Sequence, residues 1–95
     1  MEKRELAKTR RRLTALHKEL AELGPVMRGS VVVIGTRNKQ PYFSLNKNKQ
    51  TQLIYLGKKR EDRARQCSEN YKRLREIVEE MTQLNMALLK EDYEP

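Results

Sequence analysis

The sequence has no tryptophan, one histidine and one cysteine, and aromatic side chains make up only 5% of its 95 residues. The lone Cys67 excludes an internal disulfide framework and fits a reducing, cytoplasmic setting. One histidine and one cysteine cannot build a metal set, so neither metal nor cofactor is expected. No apolar run approaches the ~18 residues of a membrane span, so no membrane partner is expected. Met1-Glu2-Lys3-Arg4-Glu5 leads into an amphipathic pattern and not an apolar segment, so no secretory signal is expected. A chain of this length makes one domain at most. It buries roughly 60–65% of its unfolded surface and completes its core alone or by dimerising.

Another absence is more informative. Residues 24–60 contain no carboxylate, yet they hold Arg28, Arg37, Lys39, Lys47, Lys49, Lys58, Lys59 and Arg60. Residues 1–23 carry seven basic and four acidic groups, and residues 61–95 carry six and nine. The net charge of +8 therefore originates in the middle segment. A field of one sign over such a stretch suits a phosphate backbone, or less often an acidic protein or membrane surface.

Apolar periodicity divides the chain in three. Over residues 3–23, Leu6, Leu13 and Leu20 recur every seven, and Thr9, Leu16 and Leu23 form a second stripe. That narrow seam predicts a helix lying against another helix, stopped by Gly24-Pro25. Over residues 60–91, Ala64, Tyr71, Val78 and Asn85 form one stripe and Cys67, Leu74, Met81 and Leu88 the other, widened by Ile77 and Leu84. This predicts a longer helix with an acidic, fraying end near Pro95. The two seams can pair in a coiled-coil manner within one chain or between two, with Arg10-Arg11-Arg12 facing Glu76, Glu79 and Glu80. The spare seam of the longer helix points to a homodimer.

Between the helices the period becomes that of strands. Val31-Val32-Val33-Ile34, Tyr42-Phe43-Ser44-Leu45 and Leu53-Ile54-Tyr55-Leu56 are separated by turn-like segments rich in Asn, Lys and Gln. Residues 29–57 thus predict a three-stranded antiparallel meander. A first turn centred on Asn38-Lys39 sets Ile34 opposite Phe43, and a second centred on Asn48 sets Phe43 opposite Leu53. The expected core face is then Val32, Ile34, Phe43, Leu45, Leu53 and Tyr55. The expected wet or ligand face is Val31, Val33, Tyr42, Ser44, Gln52 and Ile54. The fold class is α+β: an N-terminal helix, a meander and a long C-terminal helix.

Gly29-Ser30, Pro41-Tyr42-Phe43-Ser44-Leu45, Gly57-Lys58 and the stretch Glu69-Asn70-Tyr71-Lys72-Arg73-Leu74-Arg75-Glu76-Ile77-Val78-Glu79-Glu80, with Leu84-Asn85, resemble a family of short, uncharacterised bacterial and archaeal proteins. Its members are similar to small open reading frames found near transposable elements. The resemblance covers roughly residues 27–90 and implies the same helix–meander–helix order. Longer members carry a Cys-rich turn and a His-Gly before the Pro-Tyr. This chain has Arg37-Asn38-Lys39-Gln40 there, with neither Cys nor His. More loosely, the chain resembles the three-stranded arm-binding domains of tyrosine recombinases. That likeness implies a basic meander entering the DNA major groove with a helix behind it.

Catalytic constellations are lacking. Cys67 falls on a helical core stripe, and His17 reads as a partly exposed helix residue. Gly57-Lys58-Lys59-Arg60 lacks the glycine-rich approach of a phosphate loop. Acidic residues of the second helix stand three or four from basic ones, as surface pairs do. No enzyme is expected. The candidate nucleic-acid contacts are Arg28, Arg37, Asn38, Lys39, Gln40, Tyr42, Lys47, Asn48, Lys49, Lys58, Lys59 and Arg60. Lysines on turns suit phosphates, Asn, Gln and Arg suit base edges, and Tyr42 suits an unpaired base. The candidate helix or dimer seam is Leu6, Leu13, Leu16, Leu20, Leu23, Tyr71, Leu74, Val78, Met81 and Leu88. The expected function is nucleic-acid binding, with DNA favoured over RNA. The alternative is a coiled-coil protein–protein interaction module or regulatory subunit with an acidic partner.

Overall fold

The computed structural model describes all of Met1–Pro95. The element order is α1 (Lys3–Glu22), β1 (Ser30–Ile34), β2 (Gln40–Lys47), β3 (Gln50–Tyr55) and α2 (Gly57–Lys90), an α+β chain of helix, meander and helix. It clusters into a helical unit, Met1–Leu23 with Arg73–Pro95, and a sheet unit, Gly24–Lys72. Part of α2 belongs to each. No helix is long and apolar enough to cross a membrane.

In the helical unit, Leu13 and Leu16 of α1 and Ile77 and Leu88 of α2 are buried. Ion pairs give the direction of the helices. Arg12 meets Glu80, with Nη2 to Oε1 at 2.8 Å. Seven residues further along α1, Glu19 meets Arg73, seven residues back along α2, with Arg73 Nη2 to Glu19 Oε1 at 2.7 Å. The two segments therefore run antiparallel within one chain. The Arg12 hydrogen bond holds the Glu80 carboxyl below its ordinary 4.5, and the Arg73 hydrogen bond does the same for Glu19. Each arginine is raised in turn by its carboxylate partner. The C-terminal end of α2, where fraying is expected, carries a cap. Tyr93 N–H donates to Leu88 O at 2.9 Å and Asp92 N–H to Leu89 O at 3.0 Å, with Asp92 at φ 64°, which is the Schellman arrangement.

In the sheet unit the core is Phe43, Leu56 and Ala64, with Met27, Val31 and Leu45 packed on it. The segment entering β1 is strapped to α2 by three bonds. Asn70 Nδ2 donates to Pro25 O at 2.9 Å, Met27 N–H to Cys67 O at 3.1 Å and the buried Ser68 Oγ to Gly29 O at 2.7 Å. The strap passes so close to β2 that a Cβ on Gly29 would lie 2.6 Å from the Phe43 ring. The second helix starts three residues earlier than its periodicity indicates, because Gly57 at φ 65° turns the chain directly from strand into helix.

The sheet order is β1-β2-β3, both pairings antiparallel, but the register corrects the expected faces. Val31, not Ile34, lies opposite Phe43, and β1 closes with Ile34 opposite Gln40. The first loop is therefore the five residues 35–39 and not a tight turn. Ile54, not Leu53, lies opposite Phe43 on the other side. The second loop is only Asn48-Lys49, both with positive φ as a two-residue type I′ hairpin requires. The ladders slip by three residues and by one. Each odd slip turns a strand over. Val31 and Ile54 thus share the inner face with Phe43 and Leu45, where Val31 packs on the core and Ile54 stays 55% exposed at its edge. Val32, Ile34, Leu53 and Tyr55, expected inside, join Tyr42 and Ser44 outside.

Candidate nucleic-acid interface

The charge division read from the sequence follows the structural one. The sheet unit holds eleven basic and three acidic side chains, so the whole net charge of +8 lies in it. The helical unit holds ten of each. None of the eight basic groups from Arg28 to Arg60 takes part in an ion pair, and all eight are exposed.

Topology sorts those eight groups to two ends of the sheet. Arg37 and Lys39 stand on the loop leading into β2. That is the end at which Tyr42 pairs with Tyr55 and α2 begins with Lys58, Lys59 and Arg60. Lys47 and Lys49 stand at the other hairpin. There Arg28 Nη1 donates to Asn46 O at 3.1 Å. Seven residue steps of β2 separate the ends, about 23 Å at 3.3 Å each. Two positive rims thus stand at the ends of the sheet, with Lys47, in step with Phe43 and Leu45, on the face opposite Tyr42.

Between the rims, Gln40, Tyr42, Ser44 and Asn46 of β2 share the outer face with Thr51, Leu53 and Tyr55 of β3 and Val32 and Ile34 of β1. Ile34, Leu53 and Tyr55 are 44%, 49% and 49% exposed, so this apolar surface is open. The Tyr42 and Tyr55 rings meet edge to face, with centroids 5.5 Å apart at 65°. Tyr55 Oη donates to Gln40 Oε1 at 3.0 Å, and Gln40 Nε2 donates to Asn38 Oδ1 at 2.9 Å. On the opposite rim Thr51 Oγ1 donates to Asn46 Oδ1 at 2.6 Å.

Arg60 has a second task. Leu56 N–H donates to Pro41 O at 3.0 Å. In an antiparallel pair of that kind residue 41 would return an N–H to the Leu56 carbonyl, and proline has none. Arg60 Nε fills the place at 3.0 Å from Leu56 O, while Nη2 reaches Tyr55 O at 2.5 Å. Arg60 contributes charge to the rim, but its guanidinium is committed to the backbone.

Among the candidate residues, the structure gathers Arg37, Asn38, Lys39, Gln40, Tyr42, Lys58, Lys59 and Arg60 at one end, and Arg28, Lys47, Asn48 and Lys49 at the other. Tyr55 was missed. The signal that finds it is the two-residue Asn48-Lys49 turn, which fixes the β3 register. Of the seam residues, Leu13, Leu16 and Leu88 are buried, while Leu6, Leu20, Leu23, Tyr71, Leu74 and Met81 are half-buried. Val78 is 51% exposed and its neighbour Ile77 is buried in its place. The expected stripe presumed one partner along α2, whereas this helix serves two units and each buries its own set. His17 is exposed on α1, and Cys67 is half-buried in the sheet unit.

The chain matches no family model, no curated protein and no solved structure. The resemblance drawn from its motifs rests on those residues alone. Most of them have structural tasks here: Gly29 admits Phe43, Pro41 and Phe43 are buried, Gly57 makes the strand-to-helix turn and Asn70 holds the strap.

Proposed function

We propose that this chain is a small nucleic-acid-binding accessory protein that grips a phosphate backbone through the two basic rims of its sheet unit. The observation that carries this reading is the segregation of charge: the sheet unit holds eleven basic and only three acidic side chains, and with them the entire net charge. Lys49 adds support. It adopts a left-handed backbone, φ 63°, where glycine or asparagine fits at lower cost. A lysine there places its charge at the tip of the hairpin. The loose likeness to recombinase arm-binding domains favours DNA over RNA. The reading is of a binding protein without a catalytic role. Cys67, as a free thiol, fits a cytoplasmic setting.

Binding across a salt series tests it. With five or six phosphates neutralised, the log–log slope against salt is about −5 on duplex DNA and about −4 on a single strand. A flat dependence, or no binding to any nucleic acid near 150 mM salt, would reject the reading.

A homodimer joined through the helices is a second proposal, supported by Val78, Met86 and Leu89, which are 51%, 50% and 61% exposed on one side of α2. A concentration-dependent mass in sedimentation, lost in Val78→Asp with Leu89→Asp, is the expected result.

A further inference from the structure

Basic rims explain attraction to a polyanion but not the surface between them. A solvent-facing sheet surface needs no Val32, Ile34, Leu53 or Tyr55, and exposed apolar groups in one contiguous patch mark a contact site. We propose that the outer face, centred on Tyr42 and Tyr55, is a stacking platform for unpaired bases, so that the ligand is a single-stranded nucleic acid. This rests on the phosphate-binding reading and specifies what lies between the phosphates.

The geometry supports it in several ways. Tyr42 and Tyr55 form a cross-strand pair between hydrogen-bonded pairs of the ladder, where side chains stand closest. Their edge-to-face contact fixes one ring against the other. The bond from Tyr55 Oη to Gln40, continued to Asn38, anchors the ring at its far end. A ring held this way loses little entropy when a base stacks on it. Leu53 and Ile34 extend the apolar floor on either side. Gln40, Asn46 and Thr51 at the margins offer amide and hydroxyl groups to Watson–Crick edges.

Duplex DNA fits the face less well. It presents phosphates and polar base edges, with only thymine methyl groups to meet an apolar floor. A second copy of this chain also fits poorly. Docking two such faces would bring two sets of unpaired cations together. A polyanion with exposed π-faces satisfies the rims and the floor at once.

Because the chain has no tryptophan, tyrosine emission reports the platform directly. In a Tyr71→Phe, Tyr93→Phe background only Tyr42 and Tyr55 emit. Titration with oligo-dT and oligo-U of about ten nucleotides, and with a DNA hairpin duplex of equal charge, separates the alternatives. The expected result is strong quenching by a single strand, weak quenching by the duplex and at least tenfold tighter binding to the single strand. The two oligonucleotides distinguish DNA from RNA as its source. Tyr55→Ala should weaken single-strand binding by about 5- to 100-fold and duplex binding by less than about threefold. Tyr55→Phe keeps the π-face and should retain most of it, which separates stacking from a loss of folding. Duplex and single strand bound equally, with a steep salt slope and no quenching, would overturn the platform while leaving phosphate binding in place. No salt-dependent binding to any of the three would overturn both.

Discussion

The helical unit balances its charges in number, ten basic against ten acidic, whereas the sheet unit leaves eleven basic against three acidic. The same kinds of side chain thus do different work in the two places. Arg12 and Arg73 are tied to Glu80 and Glu19, which fixes how α1 runs against α2. Arg37, Lys39, Lys47 and Lys49 have no carboxylate and project from hairpin ends. Of Arg10-Arg11-Arg12 only Arg12 has a carboxylate partner, and Lys47 and Lys49 have none.

The largest expected effect breaks this contrast on the sheet side. Lys39→Glu, Lys47→Glu and Lys49→Glu together take the net charge from +8 down by six. Nucleic-acid binding at about 100 mM salt should fall by about 100-fold or more, because phosphate contacts are replaced by repulsion at both rims. The melting temperature should stay nearly unchanged, since none of the three side chains is buried. Reversing Lys3, Lys8 and Arg11 on α1 is the control. Equal loss from that set would show that total charge, and not its placement, governs binding.

On the helical side the matching change is Leu16→Ala. Leu16 is fully buried, so the truncation should cost about 2–5 kcal/mol, read as a shift in the denaturant midpoint. Affinity per folded molecule should be unchanged. A variant that loses affinity while still folded would tie the helical unit to binding.

Arg60 sharpens the comparison at the junction of rim and core. Arg60→Ala removes two bonds and leaves the Leu56 carbonyl without a partner, since Pro41 offers no N–H. The expected cost is about 1–3 kcal/mol. Pro41→Ala restores the missing donor, so the double variant should recover part of that loss. Strictly additive effects would show that Arg60 does not stand in for the absent amide.

The order of elements was legible in the sequence because each signal for it is local: heptad leucines up to Gly24-Pro25, three β-branched or aromatic runs, and heptads again. So was the charge asymmetry, which needs only counting. The faces of the meander were not legible, because a face depends on register and register depends on loop length. Five residues carry the chain from Ile34 to Gln40, and nothing in Arg37-Asn38-Lys39 alone distinguishes that loop from a two-residue turn. The second hairpin was closer to readable, since Asn48 tolerates a left-handed backbone; its partner Lys49 hid the turn. The misplacement of Val78 has another cause. Heptad counting assumes one neighbour along α2, and a helix shared by two units has two.

The smallest expected effect concerns the ion pairs that close the helical unit. Glu19 and Glu80 have pKa values held below the ordinary 4.5 by Arg73 and Arg12. A carboxylate lowered on folding binds fewer protons in the native state than in the unfolded one. Its stabilisation is therefore complete above about 4.5 and is lost as the pH falls through the lower folded value. Both pairs remain partly open to solvent, with Arg12 and Glu80 side chains 46% and 38% exposed, so screening keeps the contribution small. Melts from pH 7 to pH 3 at low salt should show a shallow acid decline that steepens below 4.5. In Glu19→Gln with Glu80→Gln that part of the decline should disappear, and the difference between the two proteins should shrink as salt rises. Parallel acid profiles for the two proteins would mean that the buried Leu13, Leu16, Ile77 and Leu88, and not the charges, hold the helices together.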